Sequence, residues 1–233
     1  GLDITGPLTV ELWLKSVDGQ GGYYNTILGK SAGTYLLHWY YGSFLLQVAS
    51  SGYGTSVVNI NGTNWQHIVA TWDGTTTGTN LRVYKNGIQS GYKTVTNVPP
   101  SNGSGVTIGS GNGLNHPFII DDAKVYNKAL SQSEISDLYG TDGDRYGYTT
   151  SYYPNKVLVR KYAATEPSAG SAGSEEQSPG PVAYWKFDEG YGDTTNDSSG
   201  QENNGTINGA SWQTEDMCVS GKCLKFDGSN DYV

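Results

Sequence analysis

The stretch from Asn64 to Gly91, NWQHIVATWDGTTTGTNLRVYKNGIQSG, leaves the chain little choice but antiparallel strands. Trp65, His67, Val69 and Thr71 fall on one parity, and Gln66, Ile68, Ala70 and Trp72 on the other. That period-two pattern, carried by β-branched and aromatic residues, is a strand pattern. WDGTTTGTN has the Gly, Thr and Asn content of a turn, and LRVYK reads as the returning strand. Asn86-Gly87 then marks a tight hairpin, because a type I′ turn needs φ > 0 at both central positions. Ile88 to Tyr92 completes a predicted three-stranded meander.

The surrounding chain repeats the theme. Leu8, Val10, Leu12 and Leu14 alternate with Thr9, Glu11, Trp13 and Lys15, which predicts a strand with one solvated face. TILGK, TYLLHWYYG and FLLQVAS between 23 and 50, a segment near 55–60, GVTIGS at 105–110 and FIIDDAKVY at 118–126 are further strand candidates. In the last of these, Asp121 and Asp122 are expected on opposite faces. The period changes at KALSQSEISDLY, where Ser131 and Glu134 form a capping box and Ile135, Leu138 and Tyr139 an apolar face, predicting one short helix. Residues 140–163 are ambiguous apart from KVLVRKY, which alternates like a strand. Residues 164–180 are small, Pro- and Gly-rich, the composition of a linker. Then VAYWKF resumes a strand, a long polar loop follows, and the chain closes on a cysteine hairpin and LKFDGSNDYV.

Gly at 33 of 233 residues, 18 Tyr and few charges support turns and strands over helices. A net charge of −8 without a basic cluster argues against nucleic acid as partner. No apolar run approaches a membrane-spanning length, so membrane insertion is not expected. With no leader sequence at residue 1, the chain is expected to start after any export signal.

The W-x-H-x-x-x-x-W-D-G turn at 65–74 and V-Y-x-N-G at 83–87 resemble the laminin-G-like domain, the concanavalin A-like lectin and glucanase jelly roll. The short helix after a strand resembles the way such domains end. Residues 180–233, with Y-W-x-F-D-E-G, D-S-S-G, N-N-G-T and F-D-G-x-x-D-Y-V, resemble the opening of the same domain, whose next segment in the family, L-x-I-T-G-P-L-T-V-E-L-W, looks like residues 2–13. The resemblance implies an all-β, two-sheet antiparallel jelly-roll β-sandwich with one short C-terminal helix, in permuted order. Residues 1–139 are a jelly roll lacking its first strands, 140–179 a connecting segment, and 180–233 those opening strands. The tail can complete its own 1–139 or a neighbouring copy, the latter giving a head-to-tail fibre, or the chain is one repeat of a tandem array cut out of phase. The expected role is an extracellular, cell-surface adhesive or structural repeat whose partners are copies of itself. The alternative is a carbohydrate-binding module that engages glycans or other surface ligands.

Catalysis is not expected. Glucanases on this sandwich place their acids on alternate positions of one strand so that both face one sugar, whereas Glu11 has no acidic partner at such spacing. His38, His67 and His116 are dispersed, and His67 reads as an ordinary strand residue. Calcium is the site hypothesis, since it takes hard oxygen ligands from loops; Asp188, Asp197, Asn203 and Asp122 are the candidate ligands, with Asp121 as the alternative to Asp122, against the reading of a solvated acidic turn. Trp39, Tyr41 and Tyr53 are candidate sugar-stacking aromatics, against the alternative that they fill the core. Cys218 and Cys223, in DMCVSGKCLKF, are read as a small-loop disulfide or as two free thiols. Sequons at Asn61, Asn102, Asn196 and Asn204 fit surface loops of an exported protein.

Overall fold

The computed structural model describes residues 2–17, 25–30, 34–40, 43–49, 54–56, 64–101, 103–109, 117–147 and 180–233. The predicted meander is present as β6 (Gln66–Trp72), β7 (Leu81–Lys85) and β8 (Ile88–Lys93), after β1 (Leu8–Ser16), β2 (Asn25–Lys30), β3 (Tyr35–Tyr40), β4 (Ser43–Val48) and β5 (Gly54–Ser56). Asn86 and Gly87 take φ of 51° and 76°, the mirror-image turn that the dipeptide calls for. β9 (Val106–Ile108), β10 (Phe118–Tyr126) and α1 (Gln132–Gly147) follow. Ser131 caps the helix: its Oγ accepts from the Glu134 amide at 3.3 Å, while Glu134 Oε2 accepts from the Ser131 amide at 2.7 Å. The tail contributes β11 (Ala183–Trp185), β12 (Thr194–Thr195), β13 (Gly205–Thr206), β14 (Ser211–Gln213) and β15 (Cys223–Phe226). The strand expected at KVLVRKY and the linker lie outside the described residues.

Two antiparallel sheets carry the core. One runs β14-β15-β10-β1-β6-β7-β8 and the other β5-β4-β3-β2-β9. Because β1 occupies one edge of β10, both tail strands share the opposite edge: β11 pairs with Ala123–Val125 and β15 with Phe118–Ile120. Val233 adds a two-way backbone pair to Ile108 on the edge of the second sheet, 2.9 Å in each direction. Phe187, Leu224 and Phe226 of the tail are fully buried in the same core as Leu8, Leu12, Trp72 and Phe44. Residues 180–233 thus pair with strands of 1–139 and share their core.

Two expectations need correction. The outer face of β1 is not solvated: Thr9 and Glu11 are fully buried and Trp13 nearly so, because α1 lies across it. Val69, Tyr84, Tyr126, Leu130 and Ile135 make one apolar contact beneath the helix, and Trp13, Val219, Trp65 and Tyr139 another. Nor do Asp121 and Asp122 point to opposite faces. The register of β10 against β1 slips between Glu11 and Trp13, and Asp122 takes φ of 49°. This is a β-bulge, where two residues of one strand oppose one of the other. Asp121 keeps the outer face opposite Trp13, and Asp122 meets Tyr184, whose Cα partner Lys124 is also on that face.

Candidate functional site

Three polar assemblies stand out on this frame. The first lies under α1. Glu11 Oε1 accepts from Lys124 Nζ at 3.1 Å and contacts His67 Nε2 at 3.2 Å, and Oε2 accepts from Tyr126 Oη at 2.7 Å. Burial opposes ionisation of Glu11, but these three partners outweigh it and hold the carboxyl at about 2. The His67 ring packs against Trp13 at 5.1 Å and Tyr139 at 5.8 Å, which also stack on each other at 6.1 Å, and its buried Nδ1 has no partner. With Glu11 sealed from solvent, no sugar can reach it.

The second assembly is an acidic corner in the gap between β11 and β15, where the bulge of β10 falls. Asp121 is fully buried; its Oδ2 accepts from the amides of Val219 and Ser220, both at 3.0 Å, while its Oδ1 has no partner. Burial and then the neighbouring Asp122 charge push its carboxyl well above the usual range, with Asp188 adding to the rise and the two amides opposing it. Asp188 Oδ1 accepts from the Lys222 amide at 3.1 Å, so both carboxylates clasp one loop. That loop is closed by the disulfide between Cys218 and Cys223, whose Cα atoms are 5.5 Å apart.

Each of the four expected calcium ligands is engaged by the protein itself. Asp197 and Asn203 stand together but are engaged with the backbone: Asp197 Oδ1 accepts from Tyr184 and Ser199, and Oδ2 from Asn203. Burial works against the Asp197 charge, yet the amides of Ser199, Tyr184 and Asn203 keep its carboxyl below the ordinary range. This is the work of an Asp in a tight turn. Asp122 binds the Tyr184 hydroxyl at 2.5 Å, and Asp188 holds the cysteine loop. Among the described residues no three His, Cys, Asp or Glu side chains are arranged to hold a metal ion. Of Asp121 and Asp122, offered by the sequence as alternatives, Asp121 is the one with an unpartnered oxygen.

The third assembly is a cleft of about 340 Å³ where the two ends of the chain meet. Leu2 and Val233 line it, with Gly103–Gly105 on one side and Trp185, Asn203 and Asn204 on the other. Trp185 donates its indole N–H to the Asn203 carbonyl at 2.7 Å, fixing the ring as a wall. Asn204 is exposed, and its Oδ1 caps the Asp197 amide at 2.8 Å. The expected sugar-stacking set is elsewhere. Trp39 is fully buried, stacked on Phe44 at 6.4 Å, because its position on β3 points into the sandwich; it cannot meet a ligand. Tyr41 and Tyr53 lie outside the described residues.

The family model described as the concanavalin A-like lectin/glucanases superfamily matches residues 1–136. Among solved structures, a protein from Bacteroides ovatus ATCC 8483 described as a candidate carbohydrate binding protein superposes with a TM-score of 0.55 at 17% identity. The match covers 88% of this chain and 52% of that one, so the chain spans about half the length of that protein. A heptameric SAP-like pentraxin from Limulus polyphemus matches with a TM-score of 0.45 and 19% identity over 58% of this chain and 70% of that one. The binding domain of botulinum neurotoxin serotype C1 matches at 0.49 and 14%, over 60% and 37%. No curated protein sequence matches the chain. No described helix is long and apolar enough to cross a membrane.

Proposed function

Because the chain belongs to the concanavalin A-like lectin/glucanase superfamily, we propose that it is a non-catalytic module of an exported protein, binding a polar ligand of the glycan class in the cleft between its ends. The lining of that cleft carries the reading. Glycines at 103 and 105 leave backbone accessible, Trp185 supplies a fixed apolar wall, and the exposed Asn204 amide nitrogen donates to no described residue. Sugars ask for such a mixture of directed polar groups and apolar contact. The description of the Bacteroides ovatus protein agrees with this class of ligand. The disulfide suits an oxidising, extracellular location.

A Cβ at Gly105 would meet nothing within 4 Å. Gly105→Trp should therefore fill the cleft without shifting its walls. A glycan array on the intact chain should show saccharide binding that weakens at least tenfold in this variant at unchanged melting temperature. Binding left intact by Gly105→Trp, or no saccharide bound at all, would overturn the assignment.

Calcium is proposed at the acidic corner and not on the Asp197 turn. The support is the unpartnered Oδ1 of the buried Asp121, one oxygen that a hard cation would satisfy. Carbonyls of the cysteine loop would supply the other donors. Millimolar calcium should raise the melting temperature by several degrees, as ligand saturation far above Kd contributes about 3 kcal/mol, and Asp121→Asn should abolish the rise. An equal rise in that variant would contradict the site.

A second reading is head-to-tail assembly: the tail strands join the body along one edge of β10, an edge that the tail of a neighbouring copy can take instead. Every pair now made within the chain would then be made between copies. Light scattering on the intact chain should give multiples of 25.0 kDa at micromolar concentration. A single 25.0 kDa species would leave completion within one chain.

A further inference from the structure

We propose that the Cys218–Cys223 disulfide is a redox latch that holds residues 180–233 on the sandwich, and that its reduction by a dithiol releases them. The gap in the ladder between β11 and β15 is where backbone pairing does not join tail to body. The cysteine loop fills that gap. Its amides at Val219 and Ser220 reach across to the buried Asp121 of the body, and its amide at Lys222 ties it to Asp188 of the tail. Val219 is buried against Trp13, with Trp65 and Tyr139 packed alongside, so the same loop is pinned beneath α1.

These contacts require the chain to turn sharply within the ring. Gly221 has φ of 52°, and a Cβ there would collide with Asp188 Oδ1. Cys218 and Cys223 fix both ends of that turn, and Cys223 is also the first, fully buried residue of β15. Opening the ring lets the turn relax, which removes both donors from Asp121 Oδ2. A buried carboxylate that has lost its donors destabilises the docked state.

Cys218 is the partly exposed partner, so attack falls on its sulfur. A thiolate of the dithiol forms a mixed disulfide with Cys218 and Cys223 leaves as thiolate, which takes up a proton. The second thiolate of the reductant then displaces Cys218, which also ends as a thiol. Two electrons pass from the dithiol, itself oxidised to a disulfide, to the protein. Exchange of the released tail with a second copy rests on the head-to-tail reading; release itself does not.

Limited proteolysis of the intact chain, with and without dithiothreitol, tests the latch. Cleavage within 180–233 should speed up at least tenfold on reduction, with a smaller acceleration in 64–126 as the body loses its tail strands, and reoxidation should reverse it. The double variant Cys218→Ser, Cys223→Ser should be cleaved at the fast rate in both buffers. An unchanged rate, or equal acceleration in 64–126, would overturn the latch. The molar mass of the reduced chain separates the two readings. A fast-cleaved tail with mass above 25.0 kDa supports latch and exchange together; a fast-cleaved tail at 25.0 kDa keeps the latch and removes the exchange.

Discussion

Phe226→Ala should destabilise the whole sandwich, not the tail alone, by about 3–5 kcal/mol, the usual cost of emptying a buried aromatic site. Phe226 is fully buried and stacks on Phe118 with ring centroids 5.3 Å apart. It also fills the space above Gly109, whose absent Cβ would lie 2.2 Å from the ring, so the pocket has no side chain to collapse into it. Phe118 belongs to β10, the strand that connects β1 to both tail strands. The loss should appear in urea unfolding followed by tryptophan fluorescence, as an earlier single transition. Ile88→Ala, at a side chain 71% exposed on the edge strand β8, should change stability by less than about 0.5 kcal/mol. Two transitions, with only the first moved by Phe226→Ala, would mean that tail and body fold separately.

The second large effect belongs to Glu11. Glu11→Ala removes the buried carboxylate that meets Lys124, His67 and Tyr126, and breaking a buried ion pair costs about 3–5 kcal/mol. Glu11→Gln keeps the shape and should cost less. The wild-type pH dependence follows from the same contacts. The folded carboxyl, held at about 2, lies below its ordinary value of 4.5. Its contribution is therefore complete above pH 4.5 and is lost as the pH falls towards 2. Thermal unfolding across that window should show a steeper loss in wild type than in Glu11→Gln, and parallel curves would count against the network.

The strands were legible in the sequence because the code for them is local. Alternation marks β1, β6 and β10, Asn86-Gly87 sets its own turn, and Ser131 with Glu134 caps its own helix. The permuted tail was legible through its resemblance to a domain opening, and the pairs of β10 with β11 and β15 supply the physical content of that resemblance. What the sequence hid was covered faces and bulges. Thr9, Glu11 and Trp13 read as solvated because nothing in β1 announces that α1, more than a hundred residues later, will lie on them. Asp121 and Asp122 read as opposed because alternation holds only until a residue is inserted. Trp39 looked available for a sugar because an aromatic on a strand reads the same whether it faces the core or solvent. The acidic and Asn-rich turn from 188 to 204 suggested calcium, while Asp197 is taken up by backbone amides that only the folded turn brings to it.

Hydrogen exchange on the intact chain tests most directly whether residues 180–233 and 1–139 share one sandwich. Amides of β10 at 118–126 and of β15 at 223–226 should be protected together, and to the same free energy as β6 at 66–72. Rapid exchange throughout 180–233, with β10 and β6 still protected, would contradict it.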